Sequence, residues 1–164
     1  MAGFQDFVKR FTFAYPPKNY IRLYGGKLTV SKDGKDGPDG FEGSYFMLDE
    51  APVTKFLAYN ALEVKPFWIN IEFPVPRICN SYAFTSANDA PGRNPKSWNV
   101  QGSQDMLNWE PLQEMSNQSF PETFLQKVYR FPNTKAYKHY RINITANNGS
   151  GNELQIADYV LGFK

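Results

Sequence analysis

SANDAPGRNPKSWNVQGSQDMLNW, running from Ser86 to Trp109, decides how this chain is to be read. Its first half is a shaped polar loop. Pro91, Gly92 and Pro95 fix the backbone, while Asn88, Asp89, Arg93 and Asn94 supply donors and acceptors. Its second half is a strand, Ser97–Gly102, in which Trp98 and Val100 share one parity and point into a core. Trp109 follows a tight turn and is expected in the core as well. The stretch holds no nucleophile–base pair and no metal-ligand spacing. A rigid strand preceded by a polar loop is how a β-sandwich carries a recognition site.

The same pattern recurs outward from this point. Twelve Gly and 12 Pro punctuate short alternating segments, which predicts an all-β, antiparallel sandwich of about eight strands. The segments are Ile21–Val30, Trp68–Phe73, Ser81–Thr85, Ser97–Gly102, Glu110–Leu112, Phe124–Arg130, His139–Thr145 and Leu154–Gly162. Ile69, Ile71 and Phe73 share one face, as do Tyr140, Ile142 and Ile144. Their neighbours Asn70, Glu72, Arg141 and Asn143 take the other. Trp68 has the opposite parity to Ile69 and is expected outside the core. Helix is predicted only near the N-terminus, where Phe4, Phe7, Val8 and Phe11 form one helical stripe ended by Pro16 and Pro17, with a strand through Phe11–Tyr15 as the alternative. The expected organisation is an amphipathic extension over residues 1–19 and a sandwich over residues 20–164.

Composition excludes several classes. The chain has 164 residues, suited to one domain, and 16% of them are aromatic. A formal net charge of +2 is too even for an electrostatic nucleic-acid binder. No apolar run approaches the length of a membrane span. MAGFQDFVKRF lacks the apolar core of a signal peptide, which leaves both a cytoplasmic protein and a piece of an extracellular one open. The single Cys79 rules out an internal disulfide and is expected in the core, and the single His139 is read as structural. KDGKDGPDG, Lys32–Gly40, is a run of turns that lacks the EF-hand pattern. Of three glycosylation sequons, at Asn117, Asn143 and Asn148, the second lies in mid-strand.

Two polar constellations carry chemistry. In ELQIADYVLGF, Asp158 has the parity of Leu154 and Ile156, so a carboxylate faces the apolar side and needs a cation or a paired base. Asp49, Glu50 and Thr54 cluster upstream around a proline turn. Carboxylates, a Thr hydroxyl and backbone carbonyls are hard oxygen ligands suited to calcium, while a salt bridge to Lys or Arg answers the same need. The second constellation is the opening loop. Asn88, Asp89 and Arg93 can bind vicinal sugar hydroxyls, with an aromatic such as Tyr59 beside Asn60 to stack on the ring. The alternative is a braced turn, with Asn88 and Asp89 capping it and Arg93 paired with Asp89. NNGSGN, Asn147–Asn152, is a second polar loop of the same character.

SANDAPGRNPKSWNVQGSQDMLNWEPL, followed by AYKHYRINITANNGSGNELQIADYVLGF, resembles the discoidin or coagulation-factor type C domain. This is a galactose-binding-like jelly roll that includes the family 32 carbohydrate-binding modules. LDEAPVTKFLAYN resembles the family's Asp-Gly-x-x-x-Thr-Lys-Trp segment. The resemblance implies a structural calcium held by Asp49, the Ala51 carbonyl, Thr54 and Asp158. It puts glycine where this chain has Glu50 and Met106, and its terminal acidic residue is usually Glu. Galactose-binding members carry a His after the Thr segment; here Leu57, Ala58, Tyr59 and Asn60 stand there.

The expected function is non-catalytic recognition of a glycan or glycoprotein through Tyr59, Asn60, Asn88, Asp89, Arg93, Asn147 and Asn148. A protein-interaction module acting through Phe4, Phe7 and Phe11 is the second reading. A phospholipid-binding domain with Met106–Leu107 as an apolar tip is the third. One His and no nucleophile elbow or paired acids leave no basis for an enzyme.

Overall fold

Ile69, Ile71 and Phe73 on one strand and Tyr140, Ile142 and Ile144 on another are completely buried, as their parity requires. They belong to a computed structural model that describes residues 19–163. The stripe through Phe4, Phe7 and Phe11 lies outside the described residues.

The strands are β1 (Lys27–Val30), β2 (Phe56–Ala58), β3 (Phe67–Arg77), β4 (Cys79–Thr85), β5 (Pro95–Ser103), β6 (Glu110–Met115), β7 (Gln126–Arg130), β8 (Tyr137–Asn147), β9 (Leu154–Ile156) and β10 (Asp158–Phe163). A short helix, α1, spans Tyr20–Leu23, and single 3-10 turns cover Ser44–Leu48 and Pro91–Arg93. A five-stranded antiparallel sheet runs β1-β3-β8-β5-β6, a three-stranded sheet runs β10-β4-β7, and β2 pairs with β9.

The core lies between the two larger sheets. Trp98 of β5 meets Phe84 of β4 edge-on at 5.4 Å and Tyr129 of β7 at 5.2 Å. Gly102 is required where the sheet passes under Tyr137: a Cβ there would lie 2.6 Å from the ring. Cys79 is buried, and desolvation pushes its thiol far above the usual range, as befits an inert core residue.

Three expectations change. Ile21–Val30 is not one strand. Asn19 caps α1 by accepting from the Arg22 N–H at 3.3 Å, and Gly25, at φ +69°, turns the chain into β1. Leu154–Gly162 is broken at Ala157, whose N–H donates to the Thr85 carbonyl at 2.9 Å, so β9 and β10 join different sheets. Trp109 is not a core residue. Its indole lies 4.2 Å from the Arg141 guanidinium on the outer face of the five-stranded sheet, and Trp68 approaches the same guanidinium at 4.5 Å. Both rings gain by covering a charged group that the core could not accept.

The register sets the two ends. Asp158 pairs with Thr85 and Thr85 with Gln126, while Pro95 pairs with Asn147 and Phe67 with Ile144. These strand termini gather the loops before β3, β5, β7 and β10 at one end. The β5–β6 turn, with Leu107 84% exposed, is at the other end.

Candidate functional site

Three loops are knitted together at the first end. From the loop after β8, Ser150 N–H donates to the Gly92 carbonyl at 3.1 Å, and Asn148 Nδ2 donates to the carbonyls of Asn94 and Pro95 at 3.0 and 3.1 Å. Gln155 Nε2 donates to the Ala90 carbonyl at 3.0 Å, and Leu62 N–H donates to the Asn152 carbonyl at 2.9 Å. Asn147 Nδ2 closes its own loop on the carbonyls of Ser150, Gly151 and Glu153. The amide nitrogens of Asn147 and Asn148 are therefore spent inside the loops.

Arg93 does not pair with Asp89. Its Nε donates to Glu153 Oε2, and its guanidinium sits 5.6 Å from the Tyr59 ring centroid. Tyr59 is 53% exposed and Asn60 is exposed next to it. An aromatic face, a guanidinium of fixed orientation and a carboxylate thus lie side by side. Asp89 is held instead by Lys55, with Nζ to Oδ1 at 2.6 Å, and Glu42 approaches the same ammonium at 3.8 Å. Lys55 is only 8% exposed, so the two carboxylates compensate its burial. Asn88, Asp89, Lys55 and Thr54 line a groove of about 260 Å³ whose walls include the exposed Phe41 and Val53.

The other polar cluster lies on the Asp49–Thr54 turn. Thr54 Oγ1 donates to Asp49 Oδ2 at 2.5 Å and approaches the Ala51 carbonyl at 2.7 Å; Ala51 N–H donates to Asp49 Oδ1 at 2.9 Å. Asp158 is 8% exposed and its Oδ1 has no hydrogen-bond partner. Burial, then the charges of Asp49 and Glu50, raise the Asp158 carboxyl to about 6, with a hydrogen bond from the Glu50 N–H acting the other way. Among the described residues no group of three or more His, Cys, Asp or Glu side chains is arranged to hold a metal ion. A cation here would rest on two carboxylates, a hydroxyl and a carbonyl.

No family model matches the chain. A carbohydrate-binding module of family 32 from Clostridium perfringens, in complex with GalNAc-β-1,3-galactose, superposes with a TM-score of 0.66 at 21% identity, covering 84% of this chain and 94% of that one. The F5/8 type C domain of a Bacteroides fragilis protein gives a TM-score of 0.69 at 16% identity, over 83% of this chain and 89% of that one. The chain is a discoidin-type jelly roll. In sequence, 51 residues, 30% of the chain, are 43% identical to the peptide-N(4)-(N-acetyl-β-glucosaminyl)asparagine amidase of Arabidopsis thaliana, and the match spans 7% of that protein's length.

The two departures from the discoidin glycines now have a physical setting. Glu50 and Met106 both adopt left-handed backbone, at φ 61° and 62°. Glu50 offsets the strain by accepting the Asn19 N–H on its carboxylate at 2.6 Å. Glu42, Lys55 and Glu153 were invisible as site residues in the sequence, because each pairs with a group far away along the chain. The signal that could have found them was the charge of Asp89 and Arg93, each of which needed a partner. His139 is buried at 4% exposure on the outer face of β8 and is remote from the loops, consistent with a structural role.

Proposed function

We propose that this discoidin domain is a non-catalytic recognition module that binds carbohydrate at the loop end. The observation that carries the proposal is the half-exposed Tyr59 ring beside an Arg93 guanidinium oriented by Glu153. A pyranose offers an apolar C–H face to the ring and vicinal hydroxyls to the planar donor fork and the carboxylate. Because the loops are already cross-bonded, little ordering entropy is lost on binding. The C. perfringens module with the same fold is described with GalNAc-β-1,3-galactose, and the Arabidopsis relative is named for its action at an N-acetyl-β-glucosaminyl linkage. Both support a glycan as the ligand class. Screening on a glycan array, followed by titration of the hits, tests it. Tyr59→Ala should abolish binding without loss of fold; an array silent at millimolar sugar, with calcium and with chelator, refutes it.

Calcium is part of the same proposal. The orphaned, buried Asp158 Oδ1 and the oxygen-only donor set of Asp49, Thr54 and the Ala51 carbonyl fit a hard cation. Bound there, it would neutralise the two carboxylates and pin the turn that leads into β2 and Tyr59. Melting in calcium against chelator tests the ion, since a ligand of the folded state alone must raise the midpoint. No shift in the parent removes calcium from the account. A shift that survives Asp158→Asn places the ion elsewhere.

A further inference from the structure

We propose a second carbohydrate-binding surface, for a neutral oligosaccharide chain, on the outer face of the five-stranded sheet along β5 and β6. It is independent of the loop end. A groove of about 370 Å³ runs there, lined by Asn99, Gln101, Pro111, Leu112, Gln113 and Glu114.

Its polar groups are oriented in advance. Asn143 of β8 donates through Nδ2 to Asn99 Oδ1 at 2.8 Å and to Gln101 Oε1 at 3.0 Å. Both acceptor oxygens are thereby engaged, which fixes the rotation of the two amides. Their NH2 groups donate to no protein atom among the described residues and remain as a matched pair of donors. Asn99 and Gln101 stand two residues apart on one strand, about 7 Å. Glu114 lies opposite Asn99 in the register, is exposed and enters none of the ion pairs among the described residues, so it offers an acceptor.

The groove is flanked by an aromatic ridge. Arg141 pairs with Gln101 in the register, and its guanidinium is clasped between Trp68 at 4.5 Å and Trp109 at 4.2 Å. Fixed amide donors, a free carboxylate and indole rings, with no deep apolar pocket, match alternating hydroxyls and C–H faces along a chain of sugar rings. A peptide would need apolar side-chain pockets or a charge pattern that this surface lacks.

The side-chain amides give a direct readout. ¹⁵N-labelled protein titrated with cellohexaose, xylohexaose, mannohexaose and chitohexaose should show saturable shifts of the Asn99 and Gln101 NH2 signals and the Trp109 indole N–H. Gln101→Ala should weaken that binding about tenfold, as loss of a hydrogen bond from a fixed donor does. Tyr59→Ala should leave it unchanged, and the dispersion of the same spectra verifies folding. Sheet-face signals that stay still while loop-end signals move overturn this proposal alone. Signals that stay still at both places with every hexasaccharide also overturn it, and the loop-end reading is then decided by the glycan array.

Discussion

Trp98 Nε1 donates a 2.7 Å hydrogen bond to Tyr82 Oη, and that hydroxyl donates onward to Gln113 Oε1 at 2.8 Å. The polar ends of two core aromatics from opposite sheets thus satisfy each other, and through Gln113 they reach the Arg130 carbonyl. Tyr82→Phe keeps the ring and removes the acceptor, leaving the indole N–H buried and unpaired. The expected loss is about 1–3 kcal/mol, read as a lower denaturant midpoint at unchanged slope.

Met106 occupies left-handed backbone at the tip of the β5–β6 turn. The turn is otherwise well made: Asp105 accepts from the Leu107 and Asn108 N–H groups, both at 2.8 Å, and those bonds hold its carboxyl below the usual range. Only the Cβ is out of place. Met106→Gly should stabilise the domain by about 1 kcal/mol, raising the melting midpoint by a few degrees.

His139, the only histidine, is buried, and desolvation lowers its pKa, with Glu72 partly opposing. The folded state binds this proton less tightly than the unfolded chain does. Its contribution to stability is therefore complete above the unfolded value of about 6.5 and is lost as pH falls through the depressed folded value. Asp158 works the other way. Its folded pKa of about 6 lies above the unfolded value, so it costs stability as pH rises through that window. His139→Gln should remove the acid-side loss between pH values of about 7 and 5 and leave the opposing slope of Asp158 visible. Unfolding free energies of parent and variant across that range, in chelator, decide it.

Glu153 fixes Arg93 across two loops, with both side chains largely covered. Glu153→Gln weakens that hold but keeps the shape. Stability should fall by no more than about 1 kcal/mol, while glycan affinity at the loop end falls several-fold because the guanidinium loses its orientation. Calorimetric titration beside thermal melting separates the two effects. Equal losses in both would mean that the pair serves the fold alone.

Long alternating strands were legible from the residues. The parities of Ile69–Phe73 and Tyr140–Ile144, and the burial of Trp98, follow from a period of two against one core. Phe56–Ala58 escaped notice because all three residues are buried, so β2 shows no alternation at all. The break at Ala157 escaped because a strand that changes sheets keeps an apolar composition throughout. The parity of a continuous strand puts Asp158 on the buried face. It is buried, although the strand is not continuous.

For the candidate site, the residues point to Tyr59, Asn60, Asn88, Asp89, Arg93, Asn147 and Asn148, because aromatics and planar polar groups on sandwich loops can serve a sugar as well as brace a turn. The sequence could not name their partners. Arg93 with Glu153 and Asp89 with Lys55 are contacts between segments 60 and 34 residues apart. The outer-face cluster is of the same kind: Trp68, Asn99, Trp109, Arg141 and Asn143 come from four segments that the strand order β3-β8-β5-β6 places side by side. Local alternation and turn chemistry, which act over a few residues, determined that the chain is a β-sandwich with polar loops. Which charge meets which, and which polar atoms are left with hydrogen bonds to give, was decided by strand order and register. Those depend on closing long loops around a common core, and no short window of sequence encodes them.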